Sequence, residues 1–168
     1  MEILAIYTSP AHNFYGHHGK PAGREPVESR DVVTCVAGKG IEGDRFFGYK
    51  ESYKGQITFF AQEVHEALVT HFQRPDLPAS VYRRNVVTRG LDLAALIGRE
   101  FSLGGIRFEG TQECAPCYWM NDAVGPGAEE FLKGRGGLRA RILSDGPLAL
   151  GSVALQLHAG SSPAARGG

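Results

Sequence analysis

Apolar residues in this chain fall into short runs, most of them alternating with polar ones, and that period favours strands over helices. Residues 1–8 read as a first strand carrying Ile3, Leu4, Ile6 and Tyr7, and residues 27–33 as a second. Residues 56–60 have strand composition. Over 61–72 the period changes: Val64, Leu68 and Phe72 recur every fourth position, as on one face of a helix, and Pro75 and Pro78 then end it. Strand character resumes at 84–88, a helical turn is expected over 92–97, and 100–103 and 106–110 form a hairpin about Gly104-Gly105. A short helix is expected at 128–133, an alternating strand at 138–143 and a last strand at 152–157. Two loops stand out: 9–25, rich in His, Gly and Pro, and the glycine-dense 38–45, which cannot continue a regular strand.

The 23 glycines and 9 prolines are spread through the 168 residues, as expected of short elements separated by many turns. Strands and helices do not alternate as a doubly wound sheet requires, and closing short strands on themselves removes exposed edges. The expected fold is therefore mainly β, a twisted, partly closed β-barrel with a few short helices. One domain over 1–158 suits this length, with 159–168 as a flexible, small-residue tail.

Lys+Arg and Asp+Glu balance at 18 each, so no overall field draws the chain to nucleic acid or a membrane. The apolar runs are too short to span a bilayer, and the first has no basic flank of the kind a signal sequence carries, so a cytoplasmic location is expected. Three cysteines, an odd number, do not suggest a secreted disulfide framework. Cys35, inside Val32-Val33-Thr34-Cys35-Val36, reads as a small buried hydrophobe.

Candidate chemistry centres on Cys114-Ala115-Pro116-Cys117, directly after a predicted strand. Two sulfurs at this spacing can ligate a metal, cycle through a disulfide or attack as thiolates. They can also simply pack as small apolar groups, although Pro116 and the polar Gln112-Glu113 suggest a turn at the surface or in a cleft. Zinc would need about four ligands, so His12, His17 and His18 would have to fold over from the first loop. A thioredoxin-like couple would need a βαβ context that the pattern lacks. Arg83-Arg84-Asn85 and Gly134-Arg135-Gly136-Gly137, leading to Arg139 and Arg141, could converge on an anion through guanidiniums and glycine-exposed amides. The plainer reading makes Arg139 and Arg141 the solvated face of a half-buried strand. The loop histidines are proton donors, lid residues or merely solvated, and His65 and His71 are structural. Asp44-Arg45 reads as a salt bridge stiffening its loop, worth about 0–1 kcal/mol if exposed. Neither a Walker nor a Rossmann glycine pattern is complete.

Taken in order, Gly40-Ile41-Glu42-Gly43-Asp44-Arg45, Arg83-Arg84-Asn85-Val86-Val87-Thr88-Arg89-Gly90, Leu96-Ile97-Gly98, Glu109-Gly110-Thr111 with Cys114-Ala115-Pro116-Cys117, and Gly134-Arg135-Gly136-Gly137-Leu138-Arg139-Ala140 resemble the MOSC domain, the carboxy-terminal domain of molybdenum cofactor sulfurases, here standing alone. The resemblance implies a β-barrel and a cysteine that either carries sulfur as a persulfide or ligates the molybdenum of a pterin cofactor. Cys117, after Pro116, matches the family's reactive cysteine, and Cys114 matches a position many members lack. Arg83 and Asn85, with Arg84 between them, match positions associated with cofactor binding; Arg135, Gly136, Gly137 and Arg139 match a strongly patterned segment. Phe46 departs from the pattern, since many members have histidine there. No pyridoxal-phosphate desulfurase domain fits beside the barrel, so sulfur would come from a cysteine desulfurase or other donor. As the alternative, the resemblance implies a molybdenum-dependent reductase of N-hydroxylated bases or related small molecules, served by an electron-donor protein. A non-enzymatic anion-binding module is the remaining reading.

Overall fold

In the computed structural model, which describes residues 1–159, β1 (Glu2–Thr8) lies where the alternation places it and pairs along both edges. One edge meets β6 (Val86–Arg89); the other is shared by β2 (Glu28–Arg30) and β11 (Gly151–Ser152). β6 runs parallel to β5 (Ile57–Ala61), and α1 (Gln62–Phe72) supplies the crossover that a parallel pair requires. Beyond β5 the sheet continues through β9 (Leu138–Ile142), β8 (Ile106–Glu113) and β7 (Glu100–Leu103) to β12 (Leu155–Leu157). A second sheet has the order β10 (Gly146–Ala149), β3 (Val32–Val36), β4 (Gly40–Ile41). Two five-residue helices, α2 (Trp119–Ala123) and α3 (Ala128–Leu132), complete the regular elements used below.

The mainly β character is as expected, but the barrel is not closed. β11 and β12 hold the two ends of the large sheet's eight-strand path, from which β2 branches at β1, and no ladder joins those ends among the described residues. Only Val153 and Ala154 separate them in sequence, so chain rather than hydrogen bonding bridges the ends of the sheet. The single strand expected over 152–157 is thus two, one at each end. Likewise the strand expected over 27–33 divides at Asp31: β2 stays on the large sheet, while β3 crosses to the small one, burying Val33 and Cys35. The tail expected over 159–168 lies, beyond Ala159, outside the described residues.

Local chemistry accounts for the elements that match. α1 ends where Gln73 turns left-handed at φ 52°, its N–H donating to the Thr70 carbonyl, with Pro75 two residues on. The β7–β8 hairpin turns on Gly104 and Gly105 at φ 59° and 84°, both positive as a tight turn of this kind demands. β5 is buried along both faces, and because successive side chains point oppositely it feeds two cores. Phe59 packs with Phe101 and Phe108 between the sheets; Phe60 packs with Leu68, Tyr82, Trp119 and Leu132 beneath the helices. The second core fixes Trp119 and the chain just before it, which carries the cysteines.

Candidate functional site

Cys114 follows the last residue of β8 and is held at both ends of its peptide. Its N–H donates to the Gly137 carbonyl at 2.7 Å, and its carbonyl accepts from Arg84 Nη2 at 3.1 Å. This junction explains the glycines better than an anion nest does. A Cβ at Gly136 would lie 2.3 Å from the Cys114 oxygen, and one at Gly137, where φ is +107°, would lie 2.2 Å from the Phe59 oxygen. The Gly136 N–H donates to Glu113 and the Arg135 N–H to the Leu132 carbonyl, so these two amides are already committed. Arg135 stacks over Phe131, 4.5 Å from its centroid, and borders a second cavity rather than the one holding the thiols.

Cys114 and Cys117 both line a cavity of about 370 Å³ between the 9–25 loop, the 42–56 loop and the ends of β8 and β9. Cys114 is 4% exposed, whereas Cys117 is open to solvent. Arg45, Lys50, Arg83, Arg84 and Arg139 line the same cavity, and among the described residues no carboxylate does. A chain of balanced charge thus gathers five cations around two thiols. Phe46, Tyr49 and Tyr53 form one aromatic wall, with the His12 ring 4.8 Å from Phe46. Opposite, Phe14 stacks on Trp119 at 5.2 Å and 16°. The Trp119 indole N–H is buried in that wall with no partner among the described residues, an orphan donor beside a cavity.

The cations differ in how much of each is free. Arg83 spends its guanidinium on the loop: Nη2 donates to Ser9 Oγ at 2.7 Å and the Ala11 carbonyl at 2.8 Å, and Nη1 to the Glu25 carbonyl. Burial, reinforced by neighbouring Arg45, brings its pKa down to about 10. Arg84 likewise caps the carbonyls of Gly136, Tyr82 and Cys114. These two shape the cavity. The Arg139 pKa is raised: burial works against its charge, and the adjacent Cys114 sulfur and Tyr53 hydroxyl more than offset it. Lys50 lies over the Tyr49 and Tyr53 rings with no carboxylate partner among the described residues.

Asn85 does not reach the cavity. It is buried beneath the floor, accepting from the Thr58 N–H and hydroxyl and donating to the Tyr7 carbonyl and Asp44. Asp44 is not an exposed loop carboxylate either. Its side chain is 1% exposed and receives hydrogen bonds from the Ser9 and Phe46 N–H groups, Asn85 and Arg45. Sequence reasoning set Asp44 and Arg45 aside because an adjacent ion pair carries no sign of burial.

Of the three loop histidines, His12 and His18 line the cavity and His17 does not, its ring bonding to the Pro21 carbonyl instead. Burial and Arg45 lower the His12 pKa. No cluster of three or more His, Cys, Asp or Glu able to hold a metal ion occurs among the described residues. His65 bonds the Tyr82 hydroxyl, a structural place. Cys35 is fully buried and its thiol is pushed up to about 12 by burial, consistent with an inert core residue. Lys50 and the aromatic walls went unnoticed in the sequence; the one local signal was the density of Phe and Tyr over 46–53.

A mainly β domain with a cationic, thiol-bearing cavity at its strand ends is the class that fold and site define. Residues 16–154 match the MOSC domain family, and the chain belongs to it. No curated protein matches the sequence. Among solved structures the chain is similar in fold to the YUAD protein from Bacillus subtilis, with TM-score 0.72 and 16% identity over 95% of this chain and 96% of that one. It is also similar to YiiM from Geobacillus stearothermophilus, with TM-score 0.66 and 17% identity over 93% and 74% of the two chains. YiiM from Escherichia coli gives TM-score 0.66 and 18% identity over 96% and 72%. Among the described residues no helix is long and apolar enough to cross a membrane.

Proposed function

We propose that this protein is a sulfur-carrying, molybdenum-cofactor-type MOSC domain in which Cys117 is the reactive thiolate. The observation that carries the reading is the pairing of an exposed thiol with a cavity lined by five cations and no described carboxylate. Cys117 is open to a large donor such as a cysteine desulfurase, while Arg139 and Lys50 favour an anionic partner inside. Thiolate is the species that takes up sulfane sulfur and the species that ligates a metal. Incubation with a persulfide-loaded cysteine desulfurase should add one sulfur to Cys117, read by mass spectrometry. A folded, reduced sample that gains none removes the carrier reading.

A second reading, a molybdenum-dependent reductase of small N-hydroxylated compounds, draws support from the cavity's shape. The orphan Trp119 N–H, the aromatic walls and the cations fit a flat, anionic, sulfur-ligated group. Arg139 and Lys50 would meet the phosphate of a pterin cofactor, Phe46, Tyr49 and Tyr53 would flank its ring, and Cys117 would ligate its metal. When bound, such a group supplies two-electron redox chemistry, and the chain would need an electron-donor protein. Meanwhile Asp44, Asn85, Arg83 and Arg84 hold the walls in place. Molybdenum and pterin co-purifying from a cofactor-producing host, and lost in Cys117→Ser, would support this reading; metal-free protein from that host would count against it.

A further inference from the structure

The two cysteines are not equivalent, and the difference has a direction. Cys117 sits at the mouth beside exposed Tyr118, within reach of a protein-sized donor. Cys114 is buried in the same cavity, its peptide locked by Gly137 and Arg84, and Arg139 lines that cavity with it. Both thiols border one cavity, Cys117 where it is open to solvent and Cys114 on its buried wall, so a sulfur carried on Cys117, about 2 Å beyond its Sγ, shares that space with the Cys114 thiol. We propose that Cys114 and Cys117 form a two-thiol relay, in which sulfane sulfur enters at Cys117 and is passed to Cys114 beneath the cations. The inference rests on the sulfur-carrier reading and gives that reading its second acceptor.

The transfer balances without any oxidant or reductant. The Cys114 thiolate attacks the outer sulfur of the Cys117 persulfide; a sulfur–sulfur bond forms to Cys114, the bond to Cys117 breaks, and its electron pair leaves on Cys117 as thiolate. The terminal sulfur keeps its proton. The result moves a reactive sulfur from an exposed thiol to a buried one, which slows its loss to bulk thiols, since exchange depends on access to the attacked sulfur. The competing attack, on the inner sulfur, would expel sulfide and leave a Cys114–Cys117 disulfide. Those products distinguish the two.

The test uses the full chain, reduced, mixed with persulfide-loaded cysteine desulfurase, quenched with an alkylating agent at successive times and mapped by fragmentation mass spectrometry. The relay predicts sulfur first on Cys117 and then on Cys114. Cys114→Ser should keep its sulfur on Cys117 and lose it quickly to added thiol. Cys117→Ser should take none from the protein donor, yet still load Cys114 from sodium polysulfide, which shows that the variant is folded and its inner thiol competent. Arg139→Gln should slow the passage of sulfur from Cys117 to Cys114, read as sulfur persisting on Cys117, with Arg139→Lys restoring part of the rate. Sulfur that stays on Cys117 in the wild type, sulfide release with a Cys114–Cys117 disulfide, or Cys114 loading by the protein donor in Cys117→Ser at the wild-type rate would each overturn the relay and leave Cys117 or Cys114 as a simple carrier. Sulfur on neither cysteine would sink the carrier reading itself, and the relay with it.

Discussion

Replacing Asp44 with alanine separates two views of the same ion pair. On a solvated loop, Asp44-Arg45 would be worth about 0–1 kcal/mol. The structure instead buries both side chains, 1% and 10% exposed, and gives the carboxylate four donors: Ser9 N–H, Phe46 N–H and Asn85 Nδ2 at 3.2 Å, and Arg45 Nη1 at 3.3 Å. Asp44→Ala strands a buried guanidinium and orphans three neutral donors, and breaking a buried pair in this way costs about 3–5 kcal/mol. With a urea slope of about 2 kcal/mol/M for a small domain, the midpoint should fall by about 2 M. Fluorescence of the single tryptophan, Trp119, which lies in the cavity wall, reports the transition. Asp44→Ala/Arg45→Ala should recover part of the loss, because it removes the uncompensated charge. A loss below about 1 kcal/mol at unchanged slope would refute the account of Asp44 as the hub beneath the site.

Three other outcomes follow from the same geometry. Iodoacetamide should label Cys117 in the folded protein and leave Cys35 untouched until the chain unfolds, since burial raises the Cys35 thiol to about 12; equal labelling rates would contradict the core placement of Cys35. Gly137→Ala places a Cβ 2.2 Å from the Phe59 oxygen at a φ of +107°, and should cost more than the roughly 1–2 kcal/mol of left-handed strain alone, seen as a lowered unfolding midpoint. His12 and His65 both have pKa values lowered by burial from 6.5, so the unfolded chain binds more protons as pH falls below that value. Stability should therefore decline on acidification through 6.5 and level off below the folded values; His65→Gln should remove part of the decline, and a flat thermal midpoint across that range would overturn it.

Residues 61–72 could be read as a helix, and Gly104-Gly105 as a turn, because both signals are local: a four-residue apolar period and a positive-φ requirement. Cys35 was legible as core for the same reason, lying on the inward side of an alternating run. The strands over 27–33 and 152–157 could not be divided correctly, since nothing in their composition says that the chain changes sheets at Asp31 or joins opposite ends of a sheet across Val153-Ala154. Whether the barrel closes depends on which strands find one another, and pairing is a long-range choice.

At the site, residue type and order alone singled out Cys114, Cys117, Arg83, Arg84 and Arg139 and the family they resemble. Tertiary structure decided their work. It set Arg135 over Phe131, put Asn85 under the floor, engaged Arg83 and Arg84 with loop carbonyls, and made Asp44 a buried hub. It also added Lys50 and two aromatic walls to the cavity, and gave one cysteine to solvent and the other to the interior. A side chain's type is written in the chain, but its burial, its partners and the dielectric around its charge arise only when distant segments meet, and those decide whether an arginine is spent on carbonyls or faces the cavity and whether a thiol is exposed or buried.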